Sequence, residues 1–306
     1  MPSPTHVVLG ATGVAGRETV AALAALGLPT VAVSRSPRAA LAASVTALAA
    51  DLTDPAAARR AVGSAGVAYL TVGLPYSLRA WRAGWPVILR NTIEACVASG
   101  TRLVYLDNVY AYGATDGPMT ESTPIRPTSR KGELRAQLLR TLDDAVRDEG
   151  LALTVGRSAD FYGPGASTSV FTSFALDAIR AGKTPTWLVD AHQPHSMTYT
   201  PDIGRALVVL GTDPRARGRA WHLPTAPALT GGEYLAIATG TAGGHRTMSV
   251  TTLRVGALFT SAAREALELV YQNDRPYVFD SSAFERTFGI APTPYVEGIR
   301  ASLAAV

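Results

Sequence analysis

The stretch "VVLGATGVAGRETV" (residues 7–20) constrains the fold more than any other part of the chain. A short strand-forming run leads into Gly10, Gly13 and Gly16, spaced three apart, and a helix-forming run follows at once. Glycine lets the backbone turn tightly there and lets a helix sit close against a strand. The unpaired amides and positive dipole end of that helix then attract a phosphate. Strand, turn and helix in this order predict a dinucleotide site, with Gly10, Thr12, Gly13, Val14 and Gly16 as its contacting residues.

The rest of the first half continues the alternation. Strands are predicted at 6–10, 30–35, 45–51, 67–73, 102–108 and 151–157, and helices at Val14–Leu26, Pro55–Val62, Trp85–Ser99 and Gly132–Arg147. Continuous apolar strands separated by helices indicate a parallel sheet covered on both faces, and right-handed crossovers make it doubly wound. The expected class is α/β: a Rossmann-type doubly wound parallel sheet with a smaller mixed C-terminal lobe for substrate. Beyond residue 165 the rhythm weakens into a helix (about 168–181), the loop "TPTWLVDAHQPH", a short run "SMTYT" and a helix opening at Pro201-Asp202. We expect residues 1–165 to bind the dinucleotide, with 196–222 returning to that domain, and 166–195 and 223–306 to form the substrate lobe.

Composition narrows the partners. The net charge of +4 comes from 28 basic and 24 acidic residues without a basic run longer than two, which argues against a nucleic-acid surface and suits a phosphorylated small ligand. Cys96 is the one cysteine, so no intrachain disulfide forms. The longest apolar stretch is interrupted by Gly27 and Pro29, and "THVVLG" enters a strand without a leader-like segment, so neither membrane association nor export is expected and the location is cytoplasmic. "HQPH" (192–195) carries Pro194 between its histidines and has no acidic or cysteine cluster to join it; no metal is expected.

The end of the second strand selects the dinucleotide. "VSRSPR" offers Ser34, Arg35, Ser36 and Arg38 and no carboxylate to take the ribose hydroxyls, so NADPH is expected over NADH. Asp51, closing the third strand before Leu52, either accepts the adenine amino group or caps the following helix. Gly73 ends the fourth strand on the same side.

With these pieces in place, the chain resembles the extended short-chain dehydrogenase/reductases, the group containing NAD-dependent epimerases and dehydratases. The resemblance covers nearly the whole chain and is carried by "GATGVAG", "DL" (51–52), "YAYG" (110–113), "TESTPIRP" (120–127), "GRSADFYGPG" (156–165), "TYTPDIGRAL" (198–207) and "FERTFGIAPTPYVEGI". It implies a cofactor in the N-terminal lobe and a substrate between the lobes, with Ser158 and Ala159 on the cofactor side. It places Asp160, which is otherwise a turn or capping carboxylate, on the substrate side. The group's chemistry uses a Ser or Thr after strand five and a Tyr-x-x-x-Lys pair. Here those positions fall on Asn108, Pro127 and Lys131, and only the lysine matches. Lys131 is one of two lysines in the chain, with Lys183, and the resemblance gives it the nicotinamide ribose; read alone it is a helix-start cation. The pattern is similar to an atypical branch, and within it to reductases of aromatic polyketide (angucyclinone-type) tailoring in antibiotic biosynthesis. Relatives often dimerise through helices four and five, so a monomer or homodimer is expected.

Hydride transfer is the cofactor's chemistry, and the protein must position a carbonyl and supply one proton. Without the tyrosine, Asn108 can donate a hydrogen bond to the carbonyl oxygen or serve as an ordinary turn residue. Tyr110 is a candidate phenol, and Tyr112, Tyr162 and Tyr199 are further ones near the expected cleft, though each taken alone reads first as a packing residue with a satisfied hydroxyl. A substrate with a phenolic hydroxyl beside its ketone could also supply the proton itself. Trp81 and Trp85, in a loop after strand four, suggest a flat aromatic ligand or packing between lobes, and Trp187 lies in a later loop. The expected function is an NADPH-dependent ketoreductase acting on a bulky, aromatic, polyketide-type carbonyl. The alternatives are a nucleotide-sugar epimerase or dehydratase with a displaced acid, which predicts a basic pocket using Arg275 and Arg286, or a non-catalytic NADP(H)-sensing regulator.

Overall fold

In the computed structural model residues 5–37 and 42–305 are described; Arg38 lies outside them. The first half builds β1 (His6–Leu9), α1 (Val14–Ala25), β2 (Thr30–Ser34), β3 (Val45–Ala49), α2 (Pro55–Val62), β4 (Val67–Leu70), α3 (Leu78–Ser99), β5 (Arg102–Asn108), α4 (Arg130–Asp148) and β6 (Leu153–Ser158). The central strands β1 and β4 are buried along their whole length because both faces of the sheet are covered there. Val7 and Leu9 face α2, α3 and α4, while Val8 and Tyr69 face α1 and a later helix.

The second half contributes short strands: β7 (Asp160–Tyr162), β8 (Thr186–Leu188), β9 (Pro194–His195) and β10 (Met197–Tyr199). Between β7 and β8, a π-type turn over Thr172–Leu176 runs into the single-turn helix α5 (Asp177–Arg180). Then α6 (Thr200–Thr212) packs on α1, and β11 (Ala220–His222) pairs in parallel with β6. The sheet has seven parallel strands in the order β11-β6-β5-β4-β1-β2-β3, a doubly wound α/β sheet of Rossmann type. Its order reverses between β1 and β4, and ligands of such sheets bind at the strands' carboxyl ends beside that switch. The remainder forms β12 (Leu229–Thr230), α7 (Gly231–Thr239), β13 (Arg246–Met248), α8 (Val250–Phe259), α9 (Ser261–Leu267), α10 (Ser282–Phe288) and α11 (Tyr295–Ala304). Among the described residues no helix is long and apolar enough to cross a membrane, and no group of His, Cys, Asp or Glu side chains could hold a metal ion.

Three boundaries differ from the sequence reading. α3 begins at Leu78, where Ser77 caps it by accepting from the Ala80 amide at 3.2 Å, and it continues through Pro86. The expected loop bearing Trp81 and Trp85 is therefore two turns of helix. Trp187, expected in a loop, lies in β8. The helix expected over 168–181 is α-helical only at its ends, around the π-type turn.

Candidate active site

The glycine turn has the shape that its spacing implies. Gly10 sits at φ +94°, and a Cβ there would stand 2.7 Å from Val72 Cα. A Cβ on Gly16 would run into the Gly10 carbonyl and stand 2.9 Å from Thr71 Oγ1, so α1 meets β1 at a distance that admits no side chain. Gly13 caps α1 and donates its amide to the Gly10 carbonyl at 3.0 Å, with Thr12 exposed and Val14 half-buried beside it. At the end of β2, Ser34 is buried and its Oγ has no partner among the described residues, while Arg35 and Ser36 are exposed.

Asp51 is exposed and accepts from the Thr53 amide at 3.0 Å and hydroxyl at 2.8 Å, bonds that hold its carboxyl below the ordinary value. The cap of α2 is Asp54, through the Ala56 amide, and not Asp51. Leu52 is buried and its carbonyl is taken by Asn91 Nδ2 at 2.8 Å. Gly73 is exposed, with no heavy atom within 4 Å of where a Cβ would stand. A close-packed glycine turn and the polar side chains at the end of β2 fit a nicotinamide dinucleotide.

The second half of the site lies at the ends of β5 and β6, where Asn108 and Ser158 are register partners. Asn108 Oδ1 accepts from the Tyr110 amide at 3.1 Å and caps a turn over Val109–Tyr112, so its oxygen holds the backbone. Ser158 and Ala159 are buried, and the Ala159 amide donates to Thr198 Oγ1 at 3.1 Å. The Tyr110 ring stacks on Trp81 with centroids 6.1 Å apart, and its hydroxyl lies 3.4 Å from that of Tyr76. Burial, with Tyr76 and Asp160 beside it, pushes the Tyr110 phenol well above its ordinary value.

Lys131 stands in the first turn of α4, after the Ser129 cap, and Pro127 lies in the loop before it. Its side chain is fully buried. Nζ sits 4.8 Å over the Tyr76 ring, pairs with Glu268 at 3.1 Å and pairs with Glu265. Glu268 also accepts from the Lys131 amide at 2.8 Å, covering the positive end of α4, and Glu265 accepts from the Leu78 amide at 3.1 Å. These carboxylates come from α9 and the residue following it, so the C-terminal lobe reaches into the site.

Four of the expected ligand contacts are corrected by burial. Trp81 and Trp85 are core residues of α3 that sandwich the Arg135 guanidinium at 4.7 and 4.4 Å, and Trp81 meets the site only beneath Tyr76 and Tyr110. Tyr112 is 1% exposed; its hydroxyl lies 2.6 Å from Arg157 Nη1 and 2.8 Å from His222 Nε2 and donates to the Thr120 carbonyl. Tyr162 is fully buried among Phe171, Tyr199 and Tyr295. Each is held by partners that no local pattern announces.

Asp160 differs from these. Its half-exposed carboxylate lies at the start of β7, 3.1 Å from His195 Nε2. His195, set aside above with the "HQPH" stretch, was missed, as were Tyr76, Tyr277, Glu265 and Glu268. A second buried network fixes the ends of β5 and β6 from below: Asp107 pairs with Arg157 at 3.0 Å and lies 3.8 Å from Arg135, which donates to the Tyr105 hydroxyl at 2.8 Å.

Residues 6–223 match the NAD dependent epimerase/dehydratase family. A dTDP-4-dehydrorhamnose reductase of Streptomyces griseus is 28% identical over 224 residues, which are 69% of this chain and 66% of the relative. The chain thus spans about two thirds of that relative's length. Among solved structures, a UDP-glucuronic acid 4-epimerase from Bacillus cereus in complex with NAD superposes with a TM-score of 0.77 at 16% identity, over 98% of this chain and 97% of the other. A dTDP-glucose 4,6-dehydratase (DesIV) from Streptomyces venezuelae with NAD bound gives 0.78 at 18% identity, over 97% and 95%. These structures share the fold. The glycine turn, the seven-stranded order and the matched span agree, and the chain belongs to the NAD dependent epimerase/dehydratase family of enzymes.

Proposed function

We propose that the protein is an NADPH-dependent reductase of a carbonyl on a bulky, aromatic small molecule. The observation that carries this reading is the state of the phenols at the site. Epimerisation and dehydration begin with oxidation, which needs a base, and that base is ordinarily a tyrosine whose proton is loosened by a neighbouring lysine. Position 127 is proline, and the phenols at the site, Tyr76 beside Lys131 and Tyr110 beside Tyr76, are both pushed the other way, so they stay hydrogen-bond donors. A reductase needs only donors.

When bound, the dinucleotide supplies a hydride. Gly10, Gly13 and Gly16 would admit its pyrophosphate, and Arg35 and Ser36 would take a 2′-phosphate. Lys131, freed from its carboxylates, would hold the ribose, and Asn108 and Tyr110 would orient the carbonyl. Tyr76 and Tyr110 supply the aromatic wall in place of the buried tryptophans. The assignment of an antibiotic-type polyketide ketone belongs to this proposal.

A second reading, reduction of a nucleotide sugar, is favoured by the similarity to a dTDP-4-dehydrorhamnose reductase. Against it, Arg275 is paired with neighbouring Asp274 at 2.8 Å. The test is incubation with NADPH or NADH and a panel of quinones, aryl ketones and nucleotide sugars, following loss of the reduced dinucleotide. We expect turnover of aryl ketones with NADPH. Turnover of nucleotide sugars alone selects the second reading, and dinucleotide binding with no turnover of any class returns the sensor.

A further inference from the structure

His195 has both ring nitrogens engaged. Nδ1 lies 3.0 Å from the carbonyl oxygen of Gln272, an atom that only accepts, so Nδ1 carries a hydrogen. Nε2 lies 3.1 Å from Asp160 Oδ2. A neutral imidazole with its hydrogen on Nδ1 would set a bare lone pair against a carboxylate, two acceptors in contact with the imidazole buried. The contact requires one more proton, on Nε2 or on the carboxyl. The ring is clamped in this orientation: it stacks on Tyr277 at 4.6 Å and meets the edge of Trp187 at 6.0 Å. Tyr277 is itself held by Gln272 Nε2 at 3.1 Å, and the Tyr234 hydroxyl donates to the His195 carbonyl at 2.7 Å.

Asp160 follows Ser158 and Ala159 at the carboxyl end of β6, the edge that carries Asn108. Its side chain is 28% exposed while that of His195 is 6% exposed, so the carboxyl is open to solvent beside the phenols of the site and the imidazole backs it. The titratable groups around it are the phenols of Tyr76, Tyr110, Tyr271 and Tyr277, all pushed up first by burial and all neutral near pH 7. Across Tyr76 lie Lys131, Glu265 and Glu268, which satisfy one another.

We propose that the Asp160–His195 pair stores the proton that carbonyl reduction consumes, with Asp160 as the acid that delivers it and His195 as the residue that positions and recharges Asp160. The proposal rests on the reductase reading for its use of the proton. In the step, the carbonyl carbon gains a hydride from the reduced nicotinamide and forms a C–H bond, and the C=O π pair moves to oxygen. That oxygen takes the proton from Asp160, its carboxyl rotating from His195 toward the cleft, and forms the O–H bond of an alcohol. The nicotinamide ends oxidised, and Asp160 ends as carboxylate beside neutral His195, which regains a proton from water.

The proton can be counted without substrate or cofactor. In protein labelled with ¹⁵N-histidine and ¹³C-aspartate, NMR at neutral pH should show either His195 protonated on both nitrogens or Asp160 as a carboxylic acid. In Asp160→Asn, His195 should turn neutral. A wild-type His195 protonated on Nδ1 alone beside an ionised Asp160 overturns the proposal. With NADPH and a reducible ketone, D160N should slow single-turnover reduction by ~10²–10⁴-fold while dinucleotide affinity holds. An unchanged rate overturns delivery by Asp160. His195→Gln keeps a donor to Asp160 but cannot store the proton, and should slow reduction in the same direction if D160N folds poorly. A wild type that reduces no carbonyl defeats the reductase reading and delivery with it, whereas the NMR count separately decides whether the proton is stored.

Discussion

His222 shows how a single side chain ties this site to the stability of the whole. Its Nδ1 lies 2.8 Å from the Asp280 carbonyl and its Nε2 2.8 Å from the Tyr112 hydroxyl, and its ring stacks on Phe279 with centroids 3.9 Å apart. Burial, and then the Arg157 charge, hold its pKa down to about 3 from 6.5. The unfolded chain therefore binds a proton below pH 6.5 that the folded chain refuses. The stabilisation is complete above 6.5 and declines by about 1.4 kcal/mol per pH unit between 6.5 and 3. His6, also depressed by burial and by Arg102, loses stability in the same direction. Urea unfolding at pH 7, 6, 5 and 4 should show this slope, and His222→Gln should lower it, leaving the part owed to His6. A reader of the sequence sees "AWHLP" and finds no sign of this, because Tyr112, Arg157 and Asp280 approach from three separate segments. Gly10 and Gly16 are the opposite case: their neighbours are a few residues away or directly across the adjacent strand, and spacing alone announces them.

At the scale of elements, the junction between α4 and α9 is the feature with a functional consequence. Lys131 is fully buried and paired with Glu265 and Glu268, so under the proposed ribose-binding role those carboxylates would compete with the dinucleotide for it. The double substitution Glu265→Gln and Glu268→Gln should tighten NADPH binding by about tenfold, or 1.4 kcal/mol, in calorimetric titration. It should also lower the melting temperature of the free protein, because a buried lysine loses its counter-charges. Weaker binding in the double variant would mean that the pairs preorganise Lys131 instead. The helices and strands of the first half were legible from period alone, with ends within a few residues. α3 was read seven residues short because Pro86 and three aromatics in "LPYSLRAWRAGWP" mimic a loop. The burial of Trp81 and Trp85 was invisible for a related reason: the Arg135 guanidinium that fills the space between them is about 50 residues away.

Across the whole molecule the C-terminal segment shares a core with the sheet. Phe284 of α10 is fully buried with Val8, Leu23 and Trp221, against the face of the sheet that α1 and α6 cover. Its ring lies 6.2 Å from Trp221 and 4.6 Å from Phe288. Unfolding of the C-terminal segment would therefore open the sheet, and calorimetry should show one transition and not two. Phe284→Ala should cost about 3–5 kcal/mol and lower that single transition without splitting it; a second, separate transition would show that the lobes are independent. The sequence by itself determined the parallel α/β sheet, the glycine turn and the carboxylate-free end of β2, because each depends on residues close in the chain and on periods of two and 3.6. Tertiary structure decided which aromatics are core, what holds Lys131 and which ring stands against Asp160. Asp107 and Arg157 meet only when β5 and β6 pair, and Lys131 with Glu268, and Asp160 with His195, only when the later segments of the chain close on the sheet. A pair that is brought together by folding leaves no period to read.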